Sequence, residues 1–178
     1  MNTLLPDLVP GQLWVISLPR GSARLLLDLA AQLALEAPLR VLDGGNCFNV
    51  YTVAQALRRR TPRVYAALGR INVARAFTCY QVTTLLENTP ADPSPTLALD
   101  LLATFYDESV PLGERRRLLQ KNVAELRRLS RQGGVLTSIS PPPPEARGSA
   151  VLYETLIDSA DRLSRLELPQ PAPVLRLL

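Results

Sequence analysis

The residues with the most chemical potential gather where strand-like runs end. Residues 18–24, "LPRGSAR", join an apolar run to an Ala- and Leu-rich helical stretch. A strand, tight loop and helix start in that order let backbone N–H groups approach a phosphate. A working phosphate loop also needs the pattern GxxxxGK[ST], in which glycines admit the phosphates, the lysine neutralises them and the hydroxyl holds magnesium. The loop here offers Pro19, Arg20, Gly21, Ser22 and Arg24 instead. Further acids and hydroxyls stand at the ends of other runs: Asp43, Asp100, Ser138 and Ser140. Cys47 and Cys79 are the only cysteines and histidine is absent, which removes the usual zinc sites and every mechanism that needs a histidine base.

These residues must be positioned by a chain of 178 residues, enough for one α/β domain with a sizeable core. Hydrophobic residues make up 47%, yet no apolar run reaches the roughly 18 residues a membrane span requires. The first residues lack the basic segment, apolar core and cleavage site of an export signal, so a cytoplasmic protein with reduced cysteines is expected. Nineteen of the twenty basic residues are arginine and the net charge is +4, a weak pointer to nucleic acid.

Periodicity gives alternating strands and helices. Strands are expected over residues 12–18, 39–45, 70–77, 94–102 and 134–140, with a further alternating run at 161–168. Between them lie helical stretches, the longest being amphipathic over residues 112–134, with Leu119, Val123 and Leu126 on one stripe and a glycine pair as its stop. Such alternation predicts a mostly parallel sheet covered on both faces, with ligands beyond the carboxyl ends of the strands. "PPPPEARG" reads as a loop or extended polyproline segment, because consecutive prolines remove ladder donors and disfavour helix. Gly44 and Gly45 read as a turn needing positive φ, and Asn46 as a residue able to share it. Residues 1–168 form the expected single domain, and residues 169–178 a Pro-rich tail.

The ordered phrases "VPGQLWVISLPRGSARLLLDLAAQLAL", "RVLDGGNCF", "INVARAFTCYQVTTLL", "TLALDLLATFY" and "LRRLSRQGGVLTSIS" resemble the core of the RecA/RadA recombinase family, ATPases that form filaments on DNA. The resemblance spans residues 8–168 and rests most on "PGQ" before the first strand and "ARAFTCYQ" after the third. It implies a RecA-like P-loop NTPase core. Aligned on Pro10 and Gly11, it puts Leu18 and Ala23 at the two loop glycines, Arg24 at the lysine and Leu25 at the magnesium hydroxyl. It also puts Gly45 where the family carries a water-activating glutamate, two residues beyond Asp43, and Ser138 and Ser140 near the amide that senses the γ-phosphate. Asp100 alone matches, at the magnesium-associated aspartate. Phosphoryl transfer depends on such groups for positioning and charge stabilisation, so a vestigial nucleotide site at Pro19, Arg20, Gly21, Ser22, Arg24 and Asp100 is expected, without hydrolysis and without ATP or magnesium as cofactors.

The resemblance further implies two DNA-contacting loops, here residues 106–114 and 140–149. The first carries Asp107, Glu108 and Glu114 and no base, and the second only Arg147. Candidate DNA contacts are therefore Arg115, Arg116, Arg117 and Lys121 on the long helix, with Arg147. A second basic cluster, Arg58 to Arg60 with Arg63, shows no interleaved aromatics of the kind that stack on single-stranded bases. The expected role is a catalytically silent accessory or regulatory factor in DNA recombination or repair, acting through RecA-like or other repair proteins, with DNA contact and self-association open. A scaffold unrelated to DNA and an ATP-binding protein with an atypical loop are the alternatives.

Overall fold

A computed structural model describes residues 8–22 and 24–166. The expected tail at 169–178 lies outside these residues, as does Ala23. Six strands form one sheet: β1 (Leu13–Ser17), β2 (Leu39–Asp43), β3 (Ile71–Arg75), β4 (Thr96–Leu99), β5 (Val135–Ile139) and β6 (Arg162–Arg165). All neighbours pair in parallel, in the order β3-β2-β4-β5-β1-β6.

The pleat divides the core. Leu13, Val15, Leu42, Ala98, Val135 and Ile139 point to one face, and Ile16, Val41, Leu97, Leu99 and Leu136 to the other. Three helices cover each side. On the second face lie α1 (Arg24–Glu36), α2 (Val50–Arg58) and the short α3 (Val64–Leu68). On the first lie α4 (Cys79–Asn88), α5 (Leu112–Ser130) and α6 (Ala150–Asp158). The central strands β4 and β5 are buried along their whole length, with Thr96, Thr137 and Ser138 the polar residues among their apolar ones, as a sheet covered twice requires. Edge strand β3 is largely exposed, and so is β6.

All six strands and every helix between them except α3 follow the sequence pattern, and among the described residues no helix is long and apolar enough to cross a membrane. Both cysteines are free thiols. Three details differ from expectation. The fourth strand stops at Leu99, because Asp100 adopts a φ of 45° and turns the chain out of the sheet. The proline run gives way to a short 3-10 helix over Pro144–Ser149, where the Ala146 N–H donates to Pro143 O. Gly44 and Gly45 do not carry the positive φ; Asn46 does, at 52°. Glycine is needed at position 45 for closeness instead, since a Cβ there would fall 2.5 Å from the Asp100 Cβ.

Candidate functional site

The strand order sets the ends of β1, β4 and β5 side by side, so the loops leaving them share one cleft. Leaving β1, the Leu18 N–H continues the ladder to Ile139 O at 2.9 Å. Pro19 has no N–H. The next residues close a tight turn in which Ser22 N–H donates to Pro19 O at 3.2 Å, with Gly21 at φ 81°, the value a type II turn demands of its third residue. Leu25 N–H is taken by Ser22 O. The loop thus spends on its own carbonyls, and on β5, N–H groups that a phosphate cradle would direct at its ligand.

The cleft measures about 450 Å³, between Arg20 and Gly21 on one side, Asp100, Tyr106 and Asp107 on another, and Ser140 on the third. Arg20 leans across it: its guanidinium donates to Pro141 O at 3.3 Å and lies 6.0 Å from the centre of the Tyr106 ring. Tyr106 donates its hydroxyl to Ser140 O at 2.7 Å, and burial holds that phenol far above its usual range. Ser138 accepts the Asp100 N–H at 2.8 Å and so props the turn after β4.

Asp43 and Asp100 are both strand-end acids, yet they differ. Asp43 is fully buried and completely engaged: Oδ1 accepts the Cys47 N–H at 2.9 Å, and Oδ2 accepts the Phe48 N–H at 3.0 Å and Arg75 Nε at 2.8 Å. It holds the chain turn into α2, and Arg75 extends the clamp to Phe48 O at 3.0 Å. Beside it, burial and the Asp43 charge push the Cys47 thiol up to about 12, which leaves it protonated and unreactive. Asp100 keeps one carboxylate oxygen, Oδ1, buried with no hydrogen-bond partner among the described residues.

Burial of the charge raises the Asp100 carboxyl above its ordinary range, with the Ser140 hydroxyl and amide and then Arg20 offsetting part of the effect. The folded chain therefore holds this proton more tightly than the unfolded chain. The side chain's contribution is most favourable below the ordinary carboxylate range and is lost as pH rises through the raised value. Asp100→Asn keeps a residue type that tolerates positive φ and removes the buried charge. It is expected to raise stability at neutral pH by about 1 kcal/mol, or roughly 2–4 °C in Tm, and to flatten the pH dependence of melting measured by calorimetry.

Of the residues expected at a vestigial nucleotide site, Arg20, Gly21 and Asp100 meet in the cleft. Pro19 and Ser22 belong to the turn beneath it, with Ser22 buried. Arg24 is elsewhere, lining a groove of about 60 Å³ between α1 and α2 with Asp28, Gln55 and Arg59. Facing Asp100 in the cleft are Arg20 and Gly21 from the loop after β1, and the Ser140 hydroxyl from the end of β5. At the two positions where the resemblance puts the phosphate-binding lysine and the magnesium hydroxyl stand Arg24, which lines the α1–α2 groove, and Leu25, which has no hydroxyl.

The expected DNA contacts are also rearranged. Arg115 is buried, donating to Phe105 O at 3.0 Å and Ser149 Oγ at 2.7 Å, so it cannot face a ligand. Arg117 is held by Glu114 through two hydrogen bonds of 2.8 and 2.7 Å, and Lys121 pairs with Glu87. Arg116 is exposed without an ion pair among the described residues, and the side chain of Arg147 lies outside them. Further along α5, Arg127 pairs with Asp161 and Arg128 with Glu125. The helix that looked basic in sequence is largely neutralised by its neighbours.

Sequence reasoning missed Tyr106 and Arg75. A tyrosine six residues beyond the acid Asp100 gives no motif, and Arg75 becomes Asp43's partner only through the β2–β3 register, which sets the two residues opposite each other. No protein-family model matches the chain, and no curated protein matches it in sequence.

Proposed function

We propose that this chain is a RecA-like protein that has lost ATP hydrolysis and assists DNA recombination or repair by contacting other proteins, RecA-like ones among them. The observation that carries the reading is the turn after β1. Its position beside the ends of β4 and β5 suits a phosphate loop, while the N–H groups of Leu18, Ser22 and Leu25 are already bonded and the cation it contributes to the cleft among the described residues, Arg20, rests on Tyr106 and Pro141 O. The phrase "ARAFTCYQ", which supports the recombinase resemblance, runs from the end of β3 into α4. Strands β3 and β6 end the sheet on either side and present unpaired backbone groups, the feature through which partner strands are added to sheets.

Millimolar ATP with magnesium is expected to leave the melting temperature unchanged and to release no phosphate. A ligand present at 100 times its Kd would add about 2.7 kcal/mol to stability, so binding could not hide. The accessory role is tested by adding the purified chain to a filament-forming recombinase and measuring its DNA-dependent ATP turnover. A change at substoichiometric amounts supports the role. No change, with no co-elution of the two proteins, points to a scaffold unrelated to DNA.

A further inference from the structure

The arginines of α2 and its flanks are arranged unlike those of α5. Arg24, Arg58, Arg59 and Arg63 are all exposed, and none has an ion pair or hydrogen-bonded side chain among the described residues. Tyr65 and Tyr51 stand among them, 88% and 79% exposed, above every other large apolar side chain described. On α2, Tyr51, Gln55 and Arg58 fall at i, i+4 and i+7 and so share one outer stripe, the first and last Cα atoms about 10 Å apart along the axis. Gln55 and Arg59 meet Arg24 of α1 across a small groove, and α3, which carries Tyr65, packs against both α1 and α2. The one acid in that groove, Asp28, is occupied by Arg60 at 2.7 Å.

We propose that this face binds single-stranded nucleic acid. Free guanidinium groups grip phosphates in a bidentate manner, and an exposed ring with no protein neighbour is a stacking surface for any base. Cations alone would suit any polyanion; two tyrosines standing clear of the surface beside them favour a ligand that brings flat unpaired bases. The face lies on the opposite side of the sheet from α5 and apart from the acidic loop after β4. It recognises no sequence, since it offers charge and stacking without a groove reader. This inference is independent of the loss of ATP hydrolysis.

The test is fluorescence anisotropy of a labelled thymidine 30-mer with the full chain at 50 and 200 mM salt. Three or four phosphate contacts predict an affinity loss of about 20- to 50-fold between the two conditions. Arg58→Ala with Arg59→Ala is expected to shrink that salt dependence, whereas Tyr51→Ala with Tyr65→Ala is expected to weaken binding about tenfold at unchanged salt dependence. Arg116→Ala, an equally exposed change on α5, is expected to leave binding intact. The proposal is overturned by absence of binding at 50 mM salt, by equal affinity for a duplex of the same length, or by indifference to loss of the tyrosines, which would indicate a general polyanion surface. Preferential binding to anionic lipid vesicles, or equal weakening by Arg116→Ala, overturns it as well.

Discussion

Asp43→Ala is expected to cost about 3 kcal/mol of folding stability, the largest loss from any single polar side chain around the cleft. The carboxylate is wholly buried, and two backbone N–H groups, those of Cys47 and Phe48, have no other acceptor described. Leaving a buried donor unsatisfied costs about 1–3 kcal/mol each, and the two together set the estimate. Arg75 adds less than a buried ion pair would, because its side chain is 36% exposed and water can take over its solvation. In a chain of this size the loss amounts to a fall of about 10 °C in Tm. Urea denaturation with an unchanged m-value would confirm that the native state alone has been weakened. Asp43→Asn can still accept one of the two N–H groups and is expected to fall between wild type and alanine.

Arg115→Ala comes next, at about 2–4 kcal/mol. Its guanidinium spans from α5 to the carbonyl of Phe105 and the hydroxyl of Ser149, tying the segment after β4 to the one before α6. Truncation leaves that carbonyl buried without its donor and opens a void beside Phe105, itself fully buried. No acid pairs with Arg115 among the described residues, so Arg115→Met, which fills the space and removes the charge, is expected to recover much of the loss. Arg116→Ala, the neighbour on the exposed side, is expected to change Tm by less than about 1 °C. Thermal melts of the three variants in parallel separate an inward structural arginine from an outward one.

That pair shows what could and could not be read from residue order. "RRR" at residues 115–117 looks like a solvated basic run. Only its helical phase against Leu118, Leu119 and Leu126 turns the first member inward, and phase becomes decisive once packing partners are known. The buried strands β1, β2, β4 and β5 were legible as short, mostly apolar runs bounded by turn residues, and the exposed edge strands β3 and β6 from their alternation and their place in the strand–helix order. Helix α3, five residues long after Pro62, is too brief to leave a periodic trace. Around the cleft, the resemblance grouped Arg20, Gly21 and Asp100, and all three line it, because the ends of neighbouring parallel strands converge. It misplaced Arg24, whose side chain follows the helix away from the turn. The reading of the Arg58–Arg63 cluster as free of aromatics passed over Tyr65, two residues beyond Arg63, and Tyr51, which is seven residues before Arg58 along the chain and on the same helix stripe.

The contact between Gly45 and Asp100 limits what this cleft can hold. The resemblance puts the catalytic glutamate at position 45, yet any side chain there begins with a carbon 2.5 Å from the Asp100 Cβ, an atom fixed to the backbone with no freedom to swing aside. An acid placed at position 45 would displace Asp100. Two carboxylates at this crossing would therefore require the two strand ends to be rebuilt farther apart, not a single exchange on the present backbone.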